Sequence, residues 1–201
     1  MPGQKAAEEQ RRDEILAAAY RVATSRGLGG LTVRGVAAEA GLSHGLVHFH
    51  FRSKDALVGA LLDQVLAGAT ALREGADVTG IASPVERLAA LLHQEMLRLT
   101  GDAGRIRLLF DFWLAGTRHM RLRARLRNDL KQYREAFLPA AQAAIAAEAG
   151  RFQGVTAEAL ASAAVAFLRG CAVQSVVDPE FDVERAAGAA RALIVAGVGA
   201  V

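Results

Sequence analysis

Apolar side chains recur every three to four residues along nearly the whole chain, and short glycine-containing joints interrupt that rhythm. Such spacing puts them on one face of a helix, because an α-helix turns once every 3.6 residues. Between Glu8 and Arg26, residues Ile15, Leu16, Ala19, Tyr20, Val22 and Ala23 make one such face, and Gly27, Gly29 and Gly30 end it. Thr32 is placed to cap a short helix over Val33–Ala40, Gly41 to turn the chain, and Ser43 to cap a third helix reaching about His50. Ser53 caps a fourth, from Lys54 to about Arg73, and Gly75 to Ala82 reads as a linker. In Ser83-Pro84-Val85-Glu86 a cap, a first-turn proline and a glutamate able to close a capping box all announce the next helix.

Asp102 and Gly104 separate that helix from one containing Arg105 to Gly116. A long helix then runs from about Met120 to Ala149, with a kink predicted at Pro139. After a loop over Gly150 to Gly154, Thr156 caps a helix to about Val177, and Asp178-Pro179 stops it. Asp182 caps the last helix, through Ile194. Strand-like alternation, internal repeats and low-complexity tracts are absent from the sequence. The expected fold is all-α, with about nine helices.

Composition agrees. Hydrophobic residues make up 52% of the 201 but aromatics only 5%, so much of the apolar share is alanine, the best helix former. No run of 18 uncharged apolar residues precedes the C-terminus, and Ala192 to Val201 is too short to span a bilayer. Met1 to Arg12 is charged and lacks the apolar region of a signal peptide. The one cysteine, Cys171, excludes an intrachain disulfide and a cysteine metal cluster. A cytosolic protein without a membrane partner is expected. A net charge of +3 permits a nucleic-acid partner without demonstrating one. Residues 1–60 add little, with eight Lys or Arg against six Asp or Glu.

Residues 32–51 are the informative stretch. Two short helices meet at a glycine, with Val36, Ala37 and Ala40 inward on the first, Leu42 in the turn and Val47 inward on the second. That is the pattern of a helix-turn-helix. Ala37 is small where the helices must approach closely, and Ser43 caps a helix whose free N–H groups can face a phosphate. Phe49 and Phe51 are expected to pack in the core.

The residues Gly27, Leu31-Thr32, Val36-Ala37, Ala40-Gly41-Leu42-Ser43, Gly45-Leu46-Val47, His50-Phe51 and Ser53-Lys54-Asp55-Ala56-Leu57 resemble the TetR family of bacterial transcriptional regulators over about residues 8–68. The resemblance implies a flexible arm over residues 1–7, a DNA-binding domain over 8–68 and a ligand-sensing, dimerising domain over 69–201. It places Thr32, Val33 and Arg34 near the DNA backbone, and Ser43 at the start of the recognition helix. His44, Gly45 and Leu46 fall at base edges in the major groove, and Lys54 on a phosphate. His48 stands where the family usually has a tyrosine on a phosphate, and histidine can donate a similar hydrogen bond. The implied function is that of a DNA-binding regulator, a repressor by family expectation, whose operator affinity a small-molecule effector controls. Neither an enzyme nor a cofactor is expected.

His44 and His48, spaced i, i+4, invite a metal reading, but Gly45 stands where a zinc protease has its glutamate, so no metal site is expected. Nor does the sequence offer a nucleophile elbow or a phosphate-binding glycine loop. Gly29-Gly30 follows a helix rather than a strand.

Further along, Ile106 to Leu114, the basic helix through Arg134 and Val176-Val177-Asp178-Pro179 look loosely like the TetR subgroup that includes choline-responsive repressors of betaine synthesis. The effector is not carried over from that likeness. An expected apolar pocket draws on His93, Met96, Phe110, Trp113, Phe137 and Gln174. Arg118, Arg121, Arg123, Arg125, Arg127, Lys131 and Arg134 face only Asp129 in charge, and a solvated face is the expected role of that run. Small residues in the last two helices suit a twofold homodimer. A dimer would set two recognition helices in successive major grooves, roughly 34–36 Å apart.

Overall fold

Proline at position 2 fits the first turn of a helix, where its missing N–H is no loss, and Lys5 and Glu9 pair at i, i+4 just beyond it. Accordingly α1 spans Pro2–Arg26, and the segment expected as a flexible arm is helical from its second residue. The computed structural model describes residues 2–67, 78 and 80–196, with side chains from residue 5.

After a single 3-10 turn at Leu28–Gly30 come α2 (Val33–Ala40), α3 (His44–His50), α4 (Lys54–Leu66), α5 (Pro84–Thr100), α6 (Ala103–Gly116), α7 (Met120–Ala147), α8 (Ala157–Val177) and α9 (Val183–Ala196). The described residues thus hold nine α-helices and no strand. The expected continuation of α4 to Arg73, and most of the linker from Gly75, lie outside the described residues.

Helix starts follow local chemistry. The hydroxyl oxygens of Thr32, Ser43, Ser53, Ser83 and Thr156 accept from the backbone N–H three residues on. Asp102 and Asp182 do the same with their carboxylates. Asp102 therefore caps α6 rather than merely separating two helices, and Gly104 lies inside it. Glu86 does not return to Ser83 as a capping box requires; its carboxylate lies 3.9 Å from Arg191. α7 is helical straight through Pro139.

Two compact units emerge. Residues 1–67 and 107–125 form the first, 68–106 and 126–201 the second. The first buries Ile15, Ala19, Val36, Val47, Phe51, Leu57 and Leu61 together with Leu108 and Phe112 of α6. The second is built on Val85, Leu88, Met96, Tyr133, Phe137, Val165 and Leu168, with α5 lying against α8 and α9. At about 25 cal/mol per Å² of apolar surface, each fully buried leucine or phenylalanine contributes about 1.5–3 kcal/mol.

α8 has the length and hydropathy of a membrane span, yet its buried face carries Arg169 within the second core. An amphipathic core helix meets the same length test.

Candidate nucleic-acid interface

The turn between α2 and α3 is made by one residue that can take left-handed backbone. Gly41 has φ +66°, so its N–H and that of Leu42 fold back onto the last carbonyls of α2, at Ala38 and Ala37. A side chain in that conformation costs roughly 1–2 kcal/mol. Val36, Ala37 and Val47 are buried as expected, while Ala40 and Leu42 are half-buried.

Long-range arginines hold α2 and α3 against α1. Arg21 meets Glu39 of α2 at 2.7 Å. Arg12 donates to the carbonyl of His50 at the end of α3 and lies 4.3 Å over the Phe51 ring. Neither contact has a local sequence signal.

What α3 presents outward follows. Thr32, Arg34, Ser43, His44, Gly45, His48 and Lys54 are exposed, and Val33 and Leu46 half-buried. All but His48, which lies in the last turn of α3, sit at or near the starts of α2, α3 and α4, and all nine lie within the first unit. The His44 and His48 rings lie 6.3 Å apart, one helical turn from each other. Three capped N-termini with a lysine, an arginine and two imidazoles can offer hydrogen bonds to phosphates and base edges. Among the described residues no group of three or more His, Cys, Asp or Glu side chains is placed to hold a metal.

Phe51 is buried, but Phe49, expected beside it in the core, is 66% exposed. Two positions apart on a helix, the two rings point some 200° apart, so only one can face inward. Phe49 packs edge-on against His50 at 5.3 Å instead. It is a large apolar side chain on the outward face that the sequence reading missed.

The residues expected to form a ligand pocket are divided between the two units. Met96 and Phe137 belong to the core of the second unit, and His93 lies half-buried in it, 3.7 Å from Glu184. Gln174 is exposed, and its amide donates to Gly170 on its own helix. Phe110 and Trp113 fall in the first unit, where their rings meet edge-on at 5.2 Å.

Beside Met96 and Phe137 lies a polar centre that the sequence reading did not identify. Glu95 is 1% exposed, and Arg98 grips both its carboxylate oxygens at 2.5 and 2.6 Å. The Tyr133 hydroxyl donates to Glu95 and accepts from Arg98 at 2.9 Å. Across the Tyr133 ring, Arg169 lies 4.6 Å from the centroid and pairs with Asp129 at 3.3 Å. Burial pushes the Asp129 carboxyl up, opposed by Arg169 and Arg105. Burial, then the Glu95 charge, pushes the Tyr133 phenol up.

A signal for it did exist. Glu95, Asp129 and Arg169 each occupy a position on the apolar stripe of their helix, where a charge needs a partner.

The basic run is also less uniform than a solvated face. Arg123 caps the end of α6 by donating to the carbonyls of Gly116 and Thr117. Arg125 reaches α4, donating to the Gly59 carbonyl and to Asp63. Gly59 makes that approach possible, since a Cβ there would stand 2.6 Å from the Arg125 guanidinium.

Comparisons with known proteins agree with this geometry. Residues 15–61 match the family described as bacterial regulatory proteins, tetR family, and residues 84–198 match that described as BetI-type transcriptional repressor, C-terminal. An HTH-type transcriptional repressor of Mycobacterium tuberculosis is 43% identical over 58 residues, which cover 27% of this chain and 31% of the relative.

Among solved structures, a TetR transcription regulator from Haloarcula marismortui superimposes with a TM-score of 0.79 at 23% identity, covering 94% of this chain and 98% of its own. A Pseudomonas aeruginosa transcriptional regulator gives 0.79 at 26%, covering 94% and 90%. One from Saccharomonospora viridis, in complex with choline, gives 0.77 at 20%, covering 93% and 96%. With its N-terminal helix-turn-helix and most of its remaining length matched in register, the chain belongs to the TetR family of bacterial regulatory proteins, with a C-terminal domain of the BetI-type repressor class.

Proposed function

We propose that this chain is a cytoplasmic transcriptional repressor that binds operator DNA as a homodimer and whose operator affinity is set by a small-molecule effector. The observation that carries it is the outward face of α3: His44, Gly45 and His48 are exposed while Val47 and Phe51 anchor the helix from behind. In this reading residues 8–68 read the DNA. Thr32, Val33, Arg34, Ser43 and Lys54 position the backbone, and His44, Gly45 and Leu46 meet base edges. His48, with Phe49 beside it, packs along the sugar-phosphate wall.

The effector is taken up by the second unit around Met96 and Phe137, with His93 at its edge. The Glu95–Arg98–Tyr133 and Asp129–Arg169 groups supply the polar contacts of an otherwise apolar site. Two helices, α6 and α7, each divide between that unit and the DNA reader, and α7 is the one assigned to the linkage. α7 gives Arg125 to the first unit and Asp129, one turn later, to the second. A ligand that favours one arrangement of α7 would shift the Arg125 contact with α4, and the linkage is reciprocal.

Dimerisation is assigned to α8 and α9. Ala159, Ala163 and Ala166 of α8 and Ala189 and Ala192 of α9 leave small apolar side chains exposed, with the larger Val177 and Leu193 exposed on the same two helices. Small residues permit the close helix approach of an isologous four-helix contact.

The test is a gel shift on the gene's own upstream DNA across a salt series. Specific binding that weakens steeply with salt is expected, with H44A and K54A each losing about 1–3 kcal/mol. Failure of the wild-type protein to shift that DNA at low salt, with the fold intact, overturns the reading.

A further inference from the structure

The first unit contains a cavity of about 1130 Å³ that the DNA-reading face does not account for. Its walls are the Gly27–Gly29 turn, the first turns of α4, and the corner where α6 gives way to α7, all in one unit. Two features set it apart from an ordinary surface groove.

The first is charge. Lys54, Arg118, Arg121 and Arg125 line it, against Asp55 and Asp111. Asp111 is already engaged, accepting from the Leu28 N–H at 3.0 Å, and Arg125 is held by Gly59 and Asp63. Among the described residues, Lys54, Arg118 and Arg121 have no carboxylate partner. Three cations thus share the lining with one acid, at a corner that Arg123 fixes through the Gly116 and Thr117 carbonyls. Like charges on one lining repel, and an anion bound among them relieves that repulsion.

The second feature is apolar. Leu114 is 62% exposed and Met120 81%, and both line the same cavity with Leu28, Val58 and Leu122. Large apolar side chains left in water beside unpaired guanidinium groups suit a ligand with both characters. A DNA backbone offers phosphates but nothing for Leu114 and Met120 to cover.

We propose that this cavity binds a small amphipathic anion, a carboxylate or sulfonate carried on an apolar body, at a site separate from the Glu95–Tyr133 centre. An occupant would bridge the first turn of α4 to the α6–α7 corner. The proposal goes beyond the effector site suggested above and does not depend on it.

The probe is anilinonaphthalene sulfonate, titrated by fluorescence into the full chain, with uncharged phenylnaphthylamine as the neutral comparison. Wild type should prefer the sulfonate, and R118A/R121A should lose at least about tenfold in sulfonate affinity while keeping its affinity for the amine. R118K/R121K should stay within about threefold of wild type. Arg118 and Arg121 are exposed, so circular dichroism should show unchanged helicity in both variants. Equal sulfonate affinity in wild type and R118A/R121A overturns the proposal. So does unchanged sulfonate affinity with a salt slope of DNA binding lowered by about two, which assigns the arginines to phosphates. Sulfonate binding needs no DNA, so its failure leaves the regulator reading standing, and a failed gel shift leaves this site standing.

Discussion

In the first unit the three helix starts of the DNA reader are fixed by hydroxyl groups three residues away, while the polar centre of the second unit, beyond its local Arg98–Glu95 pair, joins side chains 35 to 40 residues apart. The two regions also place charge oppositely. The reader keeps Arg34, His44, His48 and Lys54 in solvent, and the second unit buries Glu95, Asp129 and Arg169. A surface charge is screened and cheap to move, whereas a buried pair is held by the cost of separating it. The reader is therefore built to present a fixed face. The second unit's polar centre is the place where a small shift of partners carries a large energy.

The sharpest way to break that contrast is to remove one half of a buried ion pair. D129A takes the Asp129 carboxylate from the buried pair with Arg169, and a loss of about 3–5 kcal/mol in urea unfolding is expected. D129L with R169M, which removes both charges and keeps the volume, should cost less than half as much. Equal costs for the single and double changes would show that the pair contributes no electrostatic stability. The same carboxyl gives a pH signature. Its folded value is raised, so the folded state holds the proton to higher pH than the unfolded chain. This contribution is complete below about pH 4, the unfolded value, and declines as pH rises through the raised folded value. D129N should lack that decline.

A smaller effect is expected where local signals rule. G41A forces alanine into left-handed backbone at about 1–2 kcal/mol, and S43A removes one cap at about 1 kcal/mol. Both should weaken DNA binding more than they lower the melting temperature, because they misplace α3 without opening the core behind Val47. A stability loss in S43A as large as that in D129A would erase the distinction between the two regions.

That distinction also sets what could be read in advance. Thr32, Gly41, Ser43, Ser53, Thr156 and Asp182 act within a turn of themselves, so their caps and joints were legible, as was the all-helical fold. The family resemblance then carried the outward residues of α3. Phe49 was misread because an aromatic residue gives no sign of which side of a seven-residue helix it takes until its neighbours are known. Arg125 was read as part of a solvated face because its partners, the Gly59 carbonyl and Asp63, lie in another helix. Even so, Glu95, Asp129 and Arg169 announced themselves by interrupting apolar stripes. Phe110 and Trp113 fall in one unit and Met96 and Phe137 in the other, because α6 and α7 each divide between the two, a division that no local pattern announces.

The smallest expected effect on stability is at Gly59, and it is the one that bears on how the two regions communicate. Alanine there raises the helix propensity of α4 by about 1 kcal/mol, but its Cβ would stand 2.6 Å from the Arg125 guanidinium and push it off the carbonyl. Losing a charge-assisted hydrogen bond costs about 1.5–3 kcal/mol when it is shielded, and less for a side chain as exposed as Arg125. The two nearly cancel, so G59A should unfold within about 1 kcal/mol of wild type. The informative quantity is the double-mutant cycle with R125A. If Arg125 acts on α4 through the space Gly59 leaves, R125A should cost about 1 kcal/mol in the wild-type background and nothing in G59A. Arg125 and Asp129 lie one turn apart on α7, so that coupling is one step the proposed linkage through α7 requires. An R125A cost that is the same in both backgrounds would remove Arg125 from that role and leave α4 to respond by some other contact.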